Sequence, residues 1–351
     1  MPLASIVLVN YNTPDDTIEC IDSILGSSVI DISIVVIDNS QSNDSINKIN
    51  SWVKGEYLPD YNTPHLIANN LSGKKPESIQ LIHTDNIQNY IHENKNQANP
   101  YKLTIIKNSN NVGFAAANNI GIKYALQFSP LYLWLLNNDT IIKKDSLKQL
   151  INYYDEANNK KIKIGLIGSK IMFYSNPEII QAVGDRFNYL TTRAYHIGLN
   201  QKDIGQYDDK KLQIDYPYGA SIFLNSEYIR TVGLMNEDYF LYFEEIDWVT
   251  RGNKKGYKTS ICTKSLVYHK QGISTGKKIK KNKPLFIACL IYSNLLKFYW
   301  THYPFLYPLP WLKLFLKMNL NFIQGNHRES KLILKILLGF KNCMILNQRA
   351  Q

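Results

Sequence analysis

Residues 131–136, Leu-Tyr-Leu-Trp-Leu-Leu, form an unbroken apolar run that stops abruptly on Asn137, Asn138 and Asp139. A short β-rich run without polar alternation predicts a strand covered on both faces, as in parallel sheets flanked by helices. Similar runs occur at Ile6 to Val9, Ile32 to Ile37 and Leu103 to Ile106, and the first two also end on polar residues, at Asn10 to Asn12 and Asp38 to Ser40. Helix-like stretches separate them: one opens on Pro14 with Asp15 and Asp16 behind it, and an Ala-rich one runs from Phe114 to Leu126. Proline and acids in a first turn suit a helix start. Strand, helix and parallel strand make βαβ units, and in open sheets of that kind ligands bind outside the carboxyl ends of the strands. Asp139 therefore stands where chemistry is expected. Taken alone, Asn137 to Asp139 serves equally well as a turn that caps a helix near Lys144.

The chain of 351 residues is 44% apolar and 20% charged, which excludes disorder and collagen-like structure. Its net charge of +11 is unevenly placed. Residues 251–351 carry 19 Lys and Arg against Glu329 alone, leaving 21 basic and 28 acidic residues in front, so the front part is −7 and the tail +18. Cys20, Cys262, Cys289 and Cys343 have no paired spacing, which predicts reduced thiols, no disulfide and no zinc site. The N-terminus runs into strand-like Ile6 to Val9 without a signal-peptide core, so export is not expected. No apolar run reaches the roughly 18–20 residues of a spanning helix. Neither G-x-G-x-x-G nor a P-loop is present, which removes support for a dinucleotide or P-loop site.

From Gln41 to about Pro100 the pattern dissolves into an Asn- and Lys-rich stretch, read as an insertion holding at most a short strand or helix. Beyond Asp139 the sequence predicts a helix over 144–158, a strand over 163–168, an irregular polar stretch over 176–209 and a strand over 218–224. In residues 239–251, Glu244, Asp247, Trp248 and Arg251 are spaced to share one helix face, with Glu245 about 100° away from Glu244. Adjacent carboxylates among Tyr239, Phe240, Tyr242, Phe243 and Trp248 are unusual for a surface, and carboxylates drawn out of water become proton acceptors near neutral pH. Surface salt bridges to Arg251 are the alternative.

The ordered series then resembles the family 2 glycosyltransferases of the GT-A fold, most nearly their rhamnosyltransferase-like branch. It comprises Val7 to Asn12, Val36 to Ser40, Asn111 to Gly121, Leu135 to Asp139, Gly219-Ala220, Phe243 to Trp248, Arg251 and Gly256-Tyr257. The resemblance covers roughly residues 4–300 apart from the insertion. It implies an α/β GT-A nucleotide-diphospho-sugar transferase fold, a mixed and mainly parallel sheet flanked by helices, over about residues 1–275. A basic, aromatic-rich helical region then fills residues 276–351. By the same resemblance Asn10 and Asn12 line the nucleobase pocket, Asp38 contacts base or ribose, and Gly113 and Asn119 lie beside the nucleotide. Asn137, Asn138 and Asp139 take the place of the metal-binding D-x-D, with only Asp139 acidic, and His269 matches a position that completes the metal site. Glu245 is the implied base, activating an acceptor hydroxyl for inverting attack, with Asp247 as a possible sharer. Trp248, Arg251 and Gly219 orient the acceptor side.

The implied cofactor is a divalent metal, Mg2+ or Mn2+, which neutralises the diphosphate leaving group. The implied donor is a dTDP- or UDP-linked sugar, rhamnose or a related hexose. The implied acceptor is a lipid-linked or cell-surface glycan. In the tail, Lys277, Lys278, Lys280, Lys281 and Lys283 precede aromatic-rich segments, and 331–341 is apolar and basic. That composition suits a helix lying on an anionic membrane, giving a cytoplasmic, peripherally associated protein. The alternative for this face is a partner or a second copy of the chain. Nucleic acid is not expected, for want of a recognisable motif. The competing class is a non-catalytic nucleotide-sugar-binding or membrane-tethered scaffold that keeps the fold.

Overall fold

The computed structural model describes residues 2–84, 86–94, 100–208, 212–270, 284–340 and Cys343. The first half holds β1 (Ala4–Asn10), α1 (Pro14–Leu25), β2 (Ile32–Asp38), α2 (Asp44–Val53), α3 (His65–Ala68), β3 (Ile79–His83), α4 (Ile87–Glu93), β4 (Leu103–Lys107), α5 (Phe114–Leu126), β5 (Tyr132–Asn137) and β6 (Thr140–Ile142). Then come α6 (Ser146–Asn159), β7 (Ile164–Phe173), β8 (Asn176–Ala182), β9 (Asp185–Asn188), β10 (Arg193–His196), β11 (Ser221–Asn225), α7 (Ser226–Val232), α8 (Glu244–Lys254) and β12 (Lys258–His269). The basic region forms α9 (Leu285–His302), α10 (Pro308–Ile323) and α11 (His327–Leu337).

The main sheet runs β3-β4-β2-β1-β5-β11-β7-β12-β6, with β8 attached to β7. Strands from β3 to β5 are parallel to their neighbours, whereas β11 is antiparallel to both β5 and β7, making the sheet mixed. β1, β2 and β5 are buried almost throughout, as apolar runs without alternation require. α5 lies tightly on this sheet because Gly121 lets it: a Cβ there would stand 2.4 Å from Val7 Cγ1. The sheet is thus the expected mixed, mainly parallel one, flanked by helices and followed by a helical basic extension.

Three sequence expectations change. The 41–100 stretch contributes α2, α3 and α4, and its Ile79–His83 segment becomes an edge strand in register with β4. The 176–209 stretch, read as irregular, holds β8, β9 and β10; its strands are short and largely polar, so no periodic apolar signal announces them. Cys289 and Cys343 form a disulfide with Cα atoms 5.7 Å apart, contrary to the reduced thiols expected. Cysteines 54 residues apart meet because α11 folds back on α9, a tertiary fact that spacing does not carry. Cys20 and Cys262 are free and buried, and burial pushes their thiols up to about 12 and about 11, away from reactivity.

The basic region has its own apolar core, in which Cys289, Tyr292, Leu296, Leu314, Leu332, Ile333 and Ile336 meet. The apolar face of α11 is therefore spent inside the protein rather than left for a membrane. The outward apolar side chains lie elsewhere: Phe305 is 97% exposed, Ile323 80%, Trp300 68% and Phe322 63%. The Lys277 to Lys283 cluster lies outside the described residues. Among the described residues no helix is long and apolar enough to cross a membrane.

Candidate active site

The turn into α8 sets the direction of two carboxylates. Tyr242 and Phe243 both lie in the left-handed region, at φ 71° and 77°. Each such non-glycine residue costs about 1–3 kcal/mol and persists only where its surroundings hold it. Here α9 does so: Asn294 Nδ2 donates to the Leu241 and Tyr242 carbonyls, each at 2.9 Å. Glu244 is thereby turned inward, 1% exposed, with Oε2 lacking any partner among the described residues. Burial, with the Glu245 charge beside it, raises its carboxyl well above the ordinary value.

Glu245 remains partly accessible. Burial chiefly, with the Asp185 charge adding to it, lifts its carboxyl to about 7. Its position is fixed by Gly219, where a Cβ would stand 2.1 Å from Glu245 Oε1. No other residue type leaves that space. Asn137 N donates to the Ala220 carbonyl at 3.0 Å, so the same short segment that carries Gly219 is tied to the end of β5. One backbone connection thus links the Glu245 edge to the Asp139 edge.

β12 pairs with β6 so that His269 faces Thr140, and this register delivers the imidazole to Asp139. His269 Nε2 lies 3.1 Å from Asp139 Oδ1, and both side chains are nearly buried. Nδ1 lies 3.1 Å from Gln181 Oε1, so Nδ1–H donates there and Nε2 is left facing the carboxylate. Gln181 Nε2 in turn donates to Tyr218 Oη at 3.2 Å. Burial alone would push the Asp139 carboxyl up, but His269, with Lys270 behind it, more than offsets this and holds it below the ordinary value. Asp139 Oδ1 and His269 Nε2 face each other, and the Gln181 carboxamide behind the imidazole orients it. Among the described residues no group of three or more His, Cys, Asp or Glu converges, so the protein offers this edge two such side chains, Asp139 and His269. Asn137, with its amide 3.4 Å from His269 Nε2, completes this edge.

Other predicted residues are placed differently. Asn10 and Asp38 are fully buried and bonded to each other, Nδ2 to Oδ1 at 2.7 Å. The second oxygen of Asp38 pairs with Lys107 at 3.0 Å, so these residues form the base of the pocket wall rather than its surface. Asn12 is exposed in a left-handed conformation, its N–H held by Ser40 Oγ at 2.9 Å. Asn138 donates to Thr13 and Thr17 at 2.7 and 2.8 Å and so locks β5 to α1. Gly113 serves close approach, since a Cβ would stand 2.5 Å from the Phe240 carbonyl. Asn119 is fully buried and clamps Met235 and Glu237.

Asp247 requires a correction. It is 1% exposed, with one oxygen bonded to Arg251 Nε at 2.8 Å and the other to His302 Nε2 at 2.7 Å. Burial raises its carboxyl, but His302 and Arg251 outweigh that and hold it below the ordinary value. Both oxygens of Asp247 are thus engaged within the protein, and burial keeps them from solvent. Arg251 also donates to the Val232 and Leu234 carbonyls, and Trp248 Nε1 to that of Gly233 at 2.9 Å. Both hold the turn after α7. Sequence reasoning missed Asn294, His302, Gln181, Tyr218 and Lys107. Each acts through a tertiary contact with a distant segment, for which no local pattern exists.

Fold and site together define the class: an α/β protein with a charged, metal-fitting edge at the strand ends and a separate carboxylate of raised pKa beside it. Residues 83–222 match the family described as Glycosyl transferase family 2. Over that span the chain is similar to family 2 glycosyltransferases. The matched span holds Asp139 and Gly219, while Glu245 and His269 lie beyond it. Among curated relatives, the low-salt glycan biosynthesis hexosyltransferase Agl10 of Haloferax volcanii is 24% identical over 173 residues, 48% of this chain and 52% of that protein. The dTDP-rhamnosyl transferase RfbF of Shigella flexneri is 22% identical over 211 residues, 60% of this chain and 66% of its own length. The chain thus spans about half of the first relative and just under two thirds of the second. Among solved structures, the mannosyltransferase PcManGT from Pyrobaculum calidifontis, in complex with GDP-Man and Mn2+, is 11% identical and covers 99% of this chain and 75% of its own, at a TM-score of 0.49.

Proposed function

We propose that the protein is an inverting glycosyltransferase that moves a sugar, rhamnose or a related hexose, from a dTDP- or UDP-linked donor to a hydroxyl of a lipid-linked or cell-surface glycan. The observation that carries this reading is the placement of Glu245 against Gly219, with its carboxyl at about 7. A general base works best with a pKa near the operating pH, because it is then both substantially ionised and basic enough to take a proton. Glu245 takes the proton of the acceptor hydroxyl as its oxygen attacks the anomeric carbon.

Asp139 and His269 are the residues that would hold a divalent cation, Mg2+ or Mn2+, whose chemistry there is to neutralise the charge of the diphosphate leaving group. Asn137 lies at the same edge, and Asn12 at the mouth of the nucleotide side. The basic extension would rest on the cytoplasmic face of an anionic membrane, close to a lipid-linked acceptor.

Donor hydrolysis measured with added Mn2+ tests the assignment. Wild type is expected to release nucleoside diphosphate from one member of a nucleotide-sugar panel. Asp139→Ala and Glu245→Gln are each expected to lower that rate by about 100-fold or more, the size typical of losing an acid–base or electrostatic contribution. Equal rates in wild type and both variants would sink the reading and favour a binding protein.

A further inference from the structure

Beside Glu245 lies a second acid–imidazole pair that the reaction as described does not use. Asp185, at the start of β9, is 3% exposed, and its Oδ1 lies 2.5 Å from Nδ1 of His196 at the end of β10. The imidazole is more open, with 37% of its side chain exposed. Nδ1–H donates to the carboxylate, and Nε2 makes no hydrogen bond among the described residues. The aspartate therefore fixes the ring and leaves one nitrogen for something outside the protein.

The pair is built into the site rather than merely near it. Asp185 N donates to the Tyr216 carbonyl at 3.0 Å, and the chain reaches Tyr218 and Gly219 a few residues later. The ring of Tyr218 has His196 edge-on at 5.1 Å and His269 at 5.9 Å. Tyr218 therefore contacts both imidazoles, His269 of the Asp139 edge and His196 of the Asp185 pair. Asp185 is close enough to add to the field on Glu245. Residues 216–219 thus touch Asp185 through Tyr216, His196 through Tyr218 and Glu245 through Gly219, so a ligand group at His196 lies along the same segment as Glu245. In a transfer reaction that group belongs to the acceptor.

We propose that Asp185 and His196 form the acceptor subsite, with His196 Nε2 hydrogen-bonding a hydroxyl of a neutral sugar so that the neighbouring hydroxyl meets Glu245. Either protonation state of the ring serves, because a sugar hydroxyl both donates and accepts. Glu245, ionised when it takes the proton, disfavours phosphate or carboxylate at this subsite, so the sugar unit bound there is uncharged. The pair is a binding device: it moves no proton in the reaction, and it rests on the assignment of Glu245 as base.

The test compares transfer to water with transfer to sugar, using the full-length protein, its nucleotide-sugar donor and a panel of methyl glycosides of neutral hexoses. His196→Ala is expected to lower transfer to the accepted glycoside by about tenfold or more, mainly through KM for the glycoside, with donor hydrolysis within about twofold of wild type. His196→Gln, which keeps a polar group able to donate and accept, is expected to recover part of the loss, and melting temperatures show whether either variant is folded. Equal transfer by wild type and His196→Ala overturns the subsite. So does wild type that hydrolyses donor but transfers to none of the glycosides. Loss of hydrolysis and transfer together in folded His196→Ala also overturns it, since the residue would then serve donor chemistry. Failure of the Glu245 assignment shows separately, as unchanged hydrolysis in Glu245→Gln.

Discussion

At the scale of single residues, Glu245 and Gly219 make one unit. The carboxylate occupies the space of an absent side chain, so Gly219→Ala is expected to leave the fold intact, because the flexible glutamate swings aside. The same movement takes the base off its line, and transfer should fall by about tenfold or more, since small misplacements of a reacting group are costly. An unchanged rate in Gly219→Ala would show that the contact does not position the base. The raised carboxyl of Glu245 also sets a pH dependence. Activity requires the ionised form, so kcat/KM is expected to rise with pH and level off above about 7. Stability runs the other way. A carboxyl whose pKa is raised on folding favours the folded state at low pH and loses that contribution as pH climbs from the ordinary carboxylate value towards 7. Glu245→Gln should therefore melt higher than wild type at pH 8, by about 1–2 kcal/mol after allowing for partial exposure. A lower melting point would mean that the carboxylate is stabilised by contacts rather than strained by burial. Two adjacent glutamates among aromatic residues announced this unit in the sequence. Their opposite orientations did not, because these depend on Asn294, about 50 residues further on.

At the scale of elements, α8 is held from three directions. Asp247 joins it to α9 through His302 and, through Arg251, to the turn that follows α7, while Asn294 of α9 fixes the turn before it. The helical extension is thus wired into the segment that aims Glu245. Asp247→Ala would leave Arg251 and His302 without their buried counter-charge, and breaking such a pair costs about 3–5 kcal/mol. Thermal unfolding is the measurement, and His302→Ala should show a smaller loss, because Arg251 still serves the carboxylate. If Asp247→Ala melts like wild type but loses activity, the residue belongs to catalysis and the clamp assignment is wrong. The spacing of Asp247 and Arg251 was readable as an i,i+4 pair on one helix face. Its third member was not, since His302 sits at the end of a helix whose own pattern says nothing of α8. Strands β1, β2 and β5 were equally readable, because apolar runs covered on both faces need no partner to be recognised. β8 to β10 were not, because short polar strands take their structure from pairing alone.

At the scale of the whole molecule, the sequence divides into a front part of −7 and a tail of +18, and the structure shows what that tail presents. α11 turns its apolar residues into the helical core, so the predicted amphipathic segment is not the outward surface. Phe305, at the turn between α9 and α10, and Phe322 and Ile323, at the end of α10, stand in solvent beside a strongly basic chain. Exposed aromatic and aliphatic side chains with surrounding lysines suit a membrane interface, where each basic residue near anionic lipid contributes about 1 kcal/mol. Flotation with vesicles distinguishes the two contributions. Wild type is expected to float with phosphatidylserine-containing vesicles and not with pure phosphatidylcholine, and added salt should weaken the association as it screens the lysines. Replacing Phe305, Phe322 and Ile323 together by Ser should weaken binding to the same anionic vesicles at low salt while leaving donor hydrolysis intact, because these side chains are solvent-exposed and none lies at the catalytic edges. Wild type that stays with the soluble fraction under low salt would remove the membrane from the proposal. Salt-sensitive binding that survives the triple Ser change would assign the attraction to charge alone.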